Sequence, residues 1–331
     1  MIQYRICLRT SIAMMIALSA TIAIACNVPV FRYALERWRP DHCQVIVFHD
    51  GKLSDVQDQL VQSLEKESID RGGSANAEIV QSQIGKDEDK RRNELWATLR
   101  DQPQVTLPYV VIRNSLGSGE LVNHWRGPLE DAPKENLFHS PVRRELSRRL
   151  LAGDSVVWLL LRSNDVKKDQ AIRDLLSAEL DRLSKKLQLP DGIGMPGSEL
   201  YAEVPLFLKF TILEIDPKDP KEQLLIKLMI GVASDTQNEP LLAPVFGRGR
   251  ALEVIPAKQM NEGLIEDLTM FLCGACSCQV KERNPGFDLL LSTNWNRELY
   301  GEDGDTPPPV TTLERVPSKP TLLTIPPGKK K

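Results

Sequence analysis

The stretch Gln44-Val45-Ile46-Val47-Phe48-His49-Asp50-Gly51 decides how the chain is read. Val45 to Phe48 is an unbroken apolar run rich in β-branched residues. A strand with no polar face fits only a sheet that is covered on both sides. His49-Asp50-Gly51 ends it, and Val56, Leu60, Val61 and Leu64 then recur at helical spacing behind Ser54 and Asp55, which suit a helix N-cap. A second strand is expected near Ala77 to Ile84. A second helix is expected over Lys86 to Arg100, with Leu95, Trp96 and Leu99 on one face and Pro103 beyond its end. Thr106-Leu107-Pro108 leads into Tyr109-Val110-Val111-Ile112. The Gly117-Ser118-Gly119 turn then brings Glu120 to Trp125 back as a hairpin, and Gly127-Pro128 closes the unit.

A basic helix from Ser140 to Leu151 follows, with Leu146, Leu150 and Leu151 facing inward and Arg143, Arg144, Arg148 and Arg149 facing outward. Gly153-Asp154 is the natural boundary. The same order of elements then returns. Val156 to Leu161 reads as a buried strand, and Asn164-Asp165 as a turn and cap. Ile172, Leu175, Leu176, Leu180, Leu183 and Leu187 mark a long helix that stops at Pro190-Asp191-Gly192. A strand over Leu206 to Ile215, a helix over Gln223 to Ile230 and a hairpin built from Pro244-Val245-Phe246, Gly247 to Arg250 and Ala251 to Ile255 come next. A last helix starts near Asn261. The fold class is therefore α/β, with each half a mixed sheet covered by helices.

This element order, with a proline just ahead of each hairpin at Pro108 and Pro244, resembles a duplicated thioredoxin-like fold over residues 41–128 and 154–290. The resemblance implies a cis-proline beside the place where that fold keeps its active site. It also implies a Cys-x-x-Cys after the first strand of each half. His49-Asp50-Gly51 and Ser163-Asn164-Asp165 stand there instead, so the resemblance points to halves without the usual redox motif. The chain also joins Ala25-Cys26-Asn27-Val28-Pro29 to Cys273-Gly274-Ala275-Cys276-Ser277-Cys278, and in this it resembles a bacterial exported family. That likeness implies export and no particular activity.

The N-terminus supports the same expectation. Arg5 and Arg9 precede an apolar run from Ile12 to Ala25, shorter than the ~20 residues that span hydrocarbon comfortably, and Ala23-Ile24-Ala25 offers small residues at a cleavage site. Residues 1–25 are read as a signal peptide. Lipidation at Cys26, simple cleavage and an uncleaved anchor all remain open, and all three mean export to the periplasm or attachment to a membrane. Residues 26–40 then form an amphipathic arm, with Phe31, Tyr33, Leu35 and Trp38 among Arg32, Arg37 and Arg39. Residues 41–150 make the first half and 151–300 the second. The proline-rich segment 301–331, ending Lys329-Lys330-Lys331, is expected to be extended and disordered.

Of the 331 residues, 41% are hydrophobic and 26% charged, enough apolar content to bury a core. A net charge of -3 offers nucleic acid no attraction, and none is expected as a partner. Chemistry-bearing residues concentrate in Cys273, Cys276 and Cys278. Their spacing allows Cys273 and Cys276 to share a helix face and to form a disulfide, exchange thiols or hold a soft metal with a further ligand. In an exported chain a structural bridge, for example to Cys43, is the simplest reading.

Other features carry less. Cys43 and His42 are neighbours on a strand and point to opposite faces, so they make no dyad. His49, His124 and His139 are scattered, and no Gly-x-Ser-x-Gly elbow accompanies them. Gly192-Ile193-Gly194-Met195-Pro196-Gly197 matches a dinucleotide-binding spacing, but it follows a helix and reads as a loop. Gly247 to Arg250 reads as a tight turn. The expectation is a binding or adaptor protein with no cofactor, whose partner is another envelope protein, with a membrane anchor through Cys26 as one of the open alternatives. The alternative is a thiol-active or metal-handling protein that uses the cysteine cluster.

Overall fold

A computed structural model describes residues 27–233 and 238–301. The leader with Cys26 and tail residues 302–331 lie outside the described residues. The chain runs through α1 (Val30–Arg37), β1 (Cys43–His49), α2 (Asp55–Glu67), β2 (Ala77–Gln83), α3 (Lys90–Leu99), β3 (Tyr109–Ser115), β4 (Leu121–Pro128) and α4 (Pro141–Leu151). It continues through β5 (Val156–Leu161), α5 (Val166–Lys186), β6 (Phe210–Ile215), α6 (Gln223–Val232), β7 (Leu241–Phe246), β8 (Arg250–Ala251) and β9 (Ile255–Pro256). The remaining elements are α7 (Glu262–Cys273), α8 (Cys278–Arg283), β10 (Phe287–Asp288) and α9 (Trp295–Tyr300). No helix among the described residues is long and apolar enough to cross a membrane.

The first sheet has the order β2-β1-β3-β4, with β2 parallel to β1, and with β3 antiparallel to both β1 and β4. The apolar run of β1 serves both faces. Val45 and Val47 pack with Val61 and Leu64 of α2, while Ile46 and Phe48 pack with Leu95, Trp96 and Leu99 of α3. α2 starts where Ser54 accepts from the Gln57 amide and Gln57 bonds back to the Ser54 amide.

The second sheet has the order β10-β8-β7-β5-β6, and β9 also pairs with β7. Its first strands repeat the plan, with β6 parallel and β7 antiparallel to β5. β3 begins opposite Phe48, and β7 begins opposite Leu161. A proline immediately precedes each of these strands, Pro108 in one half and Pro240 in the other. Pro244 therefore does not match Pro108. It lies inside β7 opposite Trp158. Its carbonyl accepts from Leu252, so its missing N–H faces the side where the ladder is interrupted between β8 and β9. The Leu107–Pro108 peptide is cis, alone among the described residues.

The amphipathic arm packs into the body: Val30, Phe31, Tyr33 and Ala34 of α1 are buried with Trp158, Leu160 and Phe246 in the core of the second sheet. Two further expectations change. The strand expected from Leu206 starts only at Phe210, and residues 203–209 precede it outside the ladder. Arg143, expected on the outer face of its helix, is buried beneath it.

The halves share their interiors. Leu224 of α6 enters the first core beside Trp125, Leu129 and Phe138. Asn76 donates to the Leu289 carbonyl at 3.1 Å and accepts from the Leu291 amide at 2.8 Å. The segment after β10 is thus stitched to the first half.

Candidate functional site

In both halves the loop after the first strand is closed by its own hydrogen bonds. His49 Nδ1 lies 2.9 Å from the Gly51 carbonyl, and Gly51 takes the left-handed φ of 66° that the turn into α2 requires. In the second half Asp169 accepts from the Ser163 amide and hydroxyl, and Asp165 caps α5 through the Lys167 and Lys168 amides. No thiol stands in either loop. What both present is an apolar side chain in the first helical turn: Val56 is 68% exposed and Val166 is 80% exposed.

The thiols lie elsewhere. α7 ends at Cys273, with Gly274 as its cap, so Cys273 and Cys276 do not share a helix face as their spacing suggests. Cys276 lies past the helix and donates its amide to the Val28 carbonyl. Cys278 is the first residue of α8. Cys43 and Cys273 are both buried and unbridged, in different cores, so the expected link from Cys43 to the cluster is not formed. Burial pushes both thiols up to about 12, which keeps them protonated and poorly nucleophilic. Among the described residues no cluster of histidine, cysteine and carboxylate side chains has the arrangement of a metal site.

Cys43 belongs instead to a polar group that sequence spacing does not announce. Its Sγ donates to Asn114 Oδ1 at 3.0 Å and lies 3.8 Å from His124 Nε2, which itself is 2.8 Å from Asn114 Oδ1. A register shift near Ile112 and Arg113 in the β3–β4 pairing brings this about: Ile112 pairs with Trp125 and Arg113 with Asn123, leaving His124 as the extra residue. The residue types are those of a Cys-His-Asn hydrolase, yet the arrangement lacks that chemistry. The same imidazole nitrogen serves both partners, and burial pushes the imidazole down to about 3 while the thiol is pushed up. The group is a neutral, buried support. Asn114 Nδ2 extends it to the Asp288 carbonyl of the second half at 2.6 Å.

Buried arginines are the other feature that simple periodicity misplaces. Arg143 donates to the carbonyls of Asn136, Leu137 and Leu290 and to Ser140 Oγ, and burial lowers it to about 10 despite Glu222 nearby. Arg248 binds the carbonyls of Leu35 and Glu36. Arg250 pairs with Asp288 and Asp41 and bonds the carbonyls of Asn284, Pro285 and Gly286. Within α1, Arg32 pairs with Glu36 at 2.8 Å, and both are buried. The turn at Gly247 to Arg250 therefore offers no guanidinium to an outside anion. The Gly192 to Gly197 segment is a loop, as its proline suggests.

No family model matches the chain, and no curated protein matches it. Among solved structures, the first two thioredoxin domains of Eps1p from Naumovozyma dairenensis match over 76% of this chain and 98% of that one, at 10% identity and a TM-score of 0.22. What the chain itself presents is two mixed sheets, each covered by helices and each built on a parallel strand pair joined to an antiparallel strand.

Proposed function

We propose that this is an exported envelope protein that works by binding another envelope protein, on two thioredoxin-like halves that have given up thiol chemistry. One observation carries the reading. The loops after β1 and β5, where that fold places its reactive cysteines, hold self-satisfied turns followed by an exposed valine. The basic-then-apolar leader supports export. Burial of Cys43 and Cys273 weighs against the alternative of a thiol-active or metal-handling protein.

A photo-reactive amino acid placed at Val56 or Val166 tests the binding role in the envelope. The expected result is a discrete adduct with one other protein that persists in a variant with Cys273, Cys276 and Cys278 all changed to serine. Loss of a bound metal or of disulfide-exchange activity in that triple variant, with no adduct at either valine, overturns it.

A further inference from the structure

The described chain begins at Asn27, two residues after the apolar run that ends at Ala25. Two residues span at most about 7 Å, so whatever holds the leader or a lipid on Cys26 holds Asn27 at the same level. The elements that touch residues 27–30 are therefore fixed beside it. One is the loop 192–198: Ser198 Oγ accepts from the Asn27 amide at 2.9 Å, and a Cβ on Gly192 would meet Asn27 Nδ2 at 2.8 Å. The other is the end of α7: the Val30 amide donates to the Gly274 carbonyl at 3.0 Å, and the Cys276 amide to the Val28 carbonyl at 2.9 Å.

These two segments carry Met195, 62% exposed, and Met270 and Phe271, 47% and 37% exposed. On α1, on α8 and at Tyr201 past the loop, cations stand over aromatic rings. Arg37 lies 4.8 Å from the Tyr33 centroid and 4.7 Å from that of Tyr201, and Lys281 Nζ lies 4.9 Å from Tyr33. Exposed apolar tips fixed beside an anchored N-terminus suit the zone between acyl chains and phosphates. Asp191 and Glu199 flank the loop in sequence, so apolar insertion rather than net charge carries the contact.

We propose that Met195, Met270 and Phe271 form the face by which the protein lies on the phospholipid bilayer that anchors its N-terminus. The proposal rests on the envelope reading above. Val56 and Val166, exposed on α2 and α5, belong to neither of these segments and are left for a partner.

The test uses the full chain reconstituted with phosphatidylethanolamine–phosphatidylglycerol vesicles (3:1), floated on a density gradient and treated briefly with hydrogen peroxide. Methionine oxidation is read by mass spectrometry, with Met260, 8% exposed, as the buried reference. The expected result is that Met195 and Met270 oxidise less than fivefold faster than Met260 in floated protein, and that M270E/F271E still floats but oxidises at Met195 at least fivefold faster than the parent. Floated parent protein whose Met195 and Met270 oxidise fivefold or more above Met260 overturns the proposal and leaves the anchor standing. Protein that does not float overturns both the proposal and membrane attachment.

Discussion

His124 and Asp288 are buried titratable groups whose shifts run in opposite senses, and their opposition is measurable. The His124 imidazole falls from 6.5 to about 3 on folding because burial disfavours its charged form. The unfolded chain therefore takes up that proton first, and stability is lost as pH falls from about 6.5 toward 3. The Asp288 carboxyl is pushed from 3.8 up to about 7, mainly by burial, with Arg250 opposing. Here the folded chain takes the proton first, so stability is gained as pH falls from about 7 toward 4. H124Q should accordingly lose less stability than the parent between pH 6.5 and 4, and D288N should lose more. Urea unfolding at pH 4, 5.5 and 6.5 reads both. Equal pH slopes in parent and variants would contradict the assignment.

At the scale of elements, turns hold the architecture where side chains do not. Gly286 has φ 94°, and a Cβ there would lie 2.3 Å from the Ala251 carbonyl oxygen, a backbone atom that cannot give way. Gly51 has φ 66° and open space around it. G51A should cost only the left-handed backbone penalty of about 1 kcal/mol, and G286A distinctly more, because β10 must shift away from β8. Denaturant midpoints compare them, and equal losses would refute the packing argument.

Much of this level is legible in the sequence. Val45 to Phe48 and Val156 to Leu161 announce strands covered on both faces, and Ser54 and Asp165 mark the helix starts that follow. What is not legible has a common cause. A register shift turns His124 toward Cys43, and a guanidinium such as Arg143 buries itself by meeting carbonyls from distant segments. Neither follows from periodicity, since both depend on where the chain returns. Pro244 misleads for the same reason: only the β5–β7 register shows Pro240 to be the counterpart of Pro108.

At the scale of the molecule, the two halves do not own separate interiors. Leu224 fills the first core from the second half, and Asn76 holds both Leu289 and Leu291. The described body should therefore unfold in one step, with fluorescence and far-ultraviolet circular dichroism giving the same midpoint. N76A leaves a carbonyl and an amide buried without partners, which lowers that midpoint by about 1–3 kcal/mol without splitting the transition. Two resolved steps in the parent would contradict the shared core.

The central proposal is that the two mixed sheets serve binding and not thiol exchange, and disulfide exchange by the full chain tests it most directly. With insulin and dithiothreitol, or with glutathione disulfide, the account predicts turnover no faster than the uncatalysed reaction. It also predicts that Cys43 and Cys273 stay unmodified by iodoacetamide until the chain is unfolded. Catalysed exchange that disappears when Cys273, Cys276 and Cys278 are changed to serine in a folded variant would contradict it.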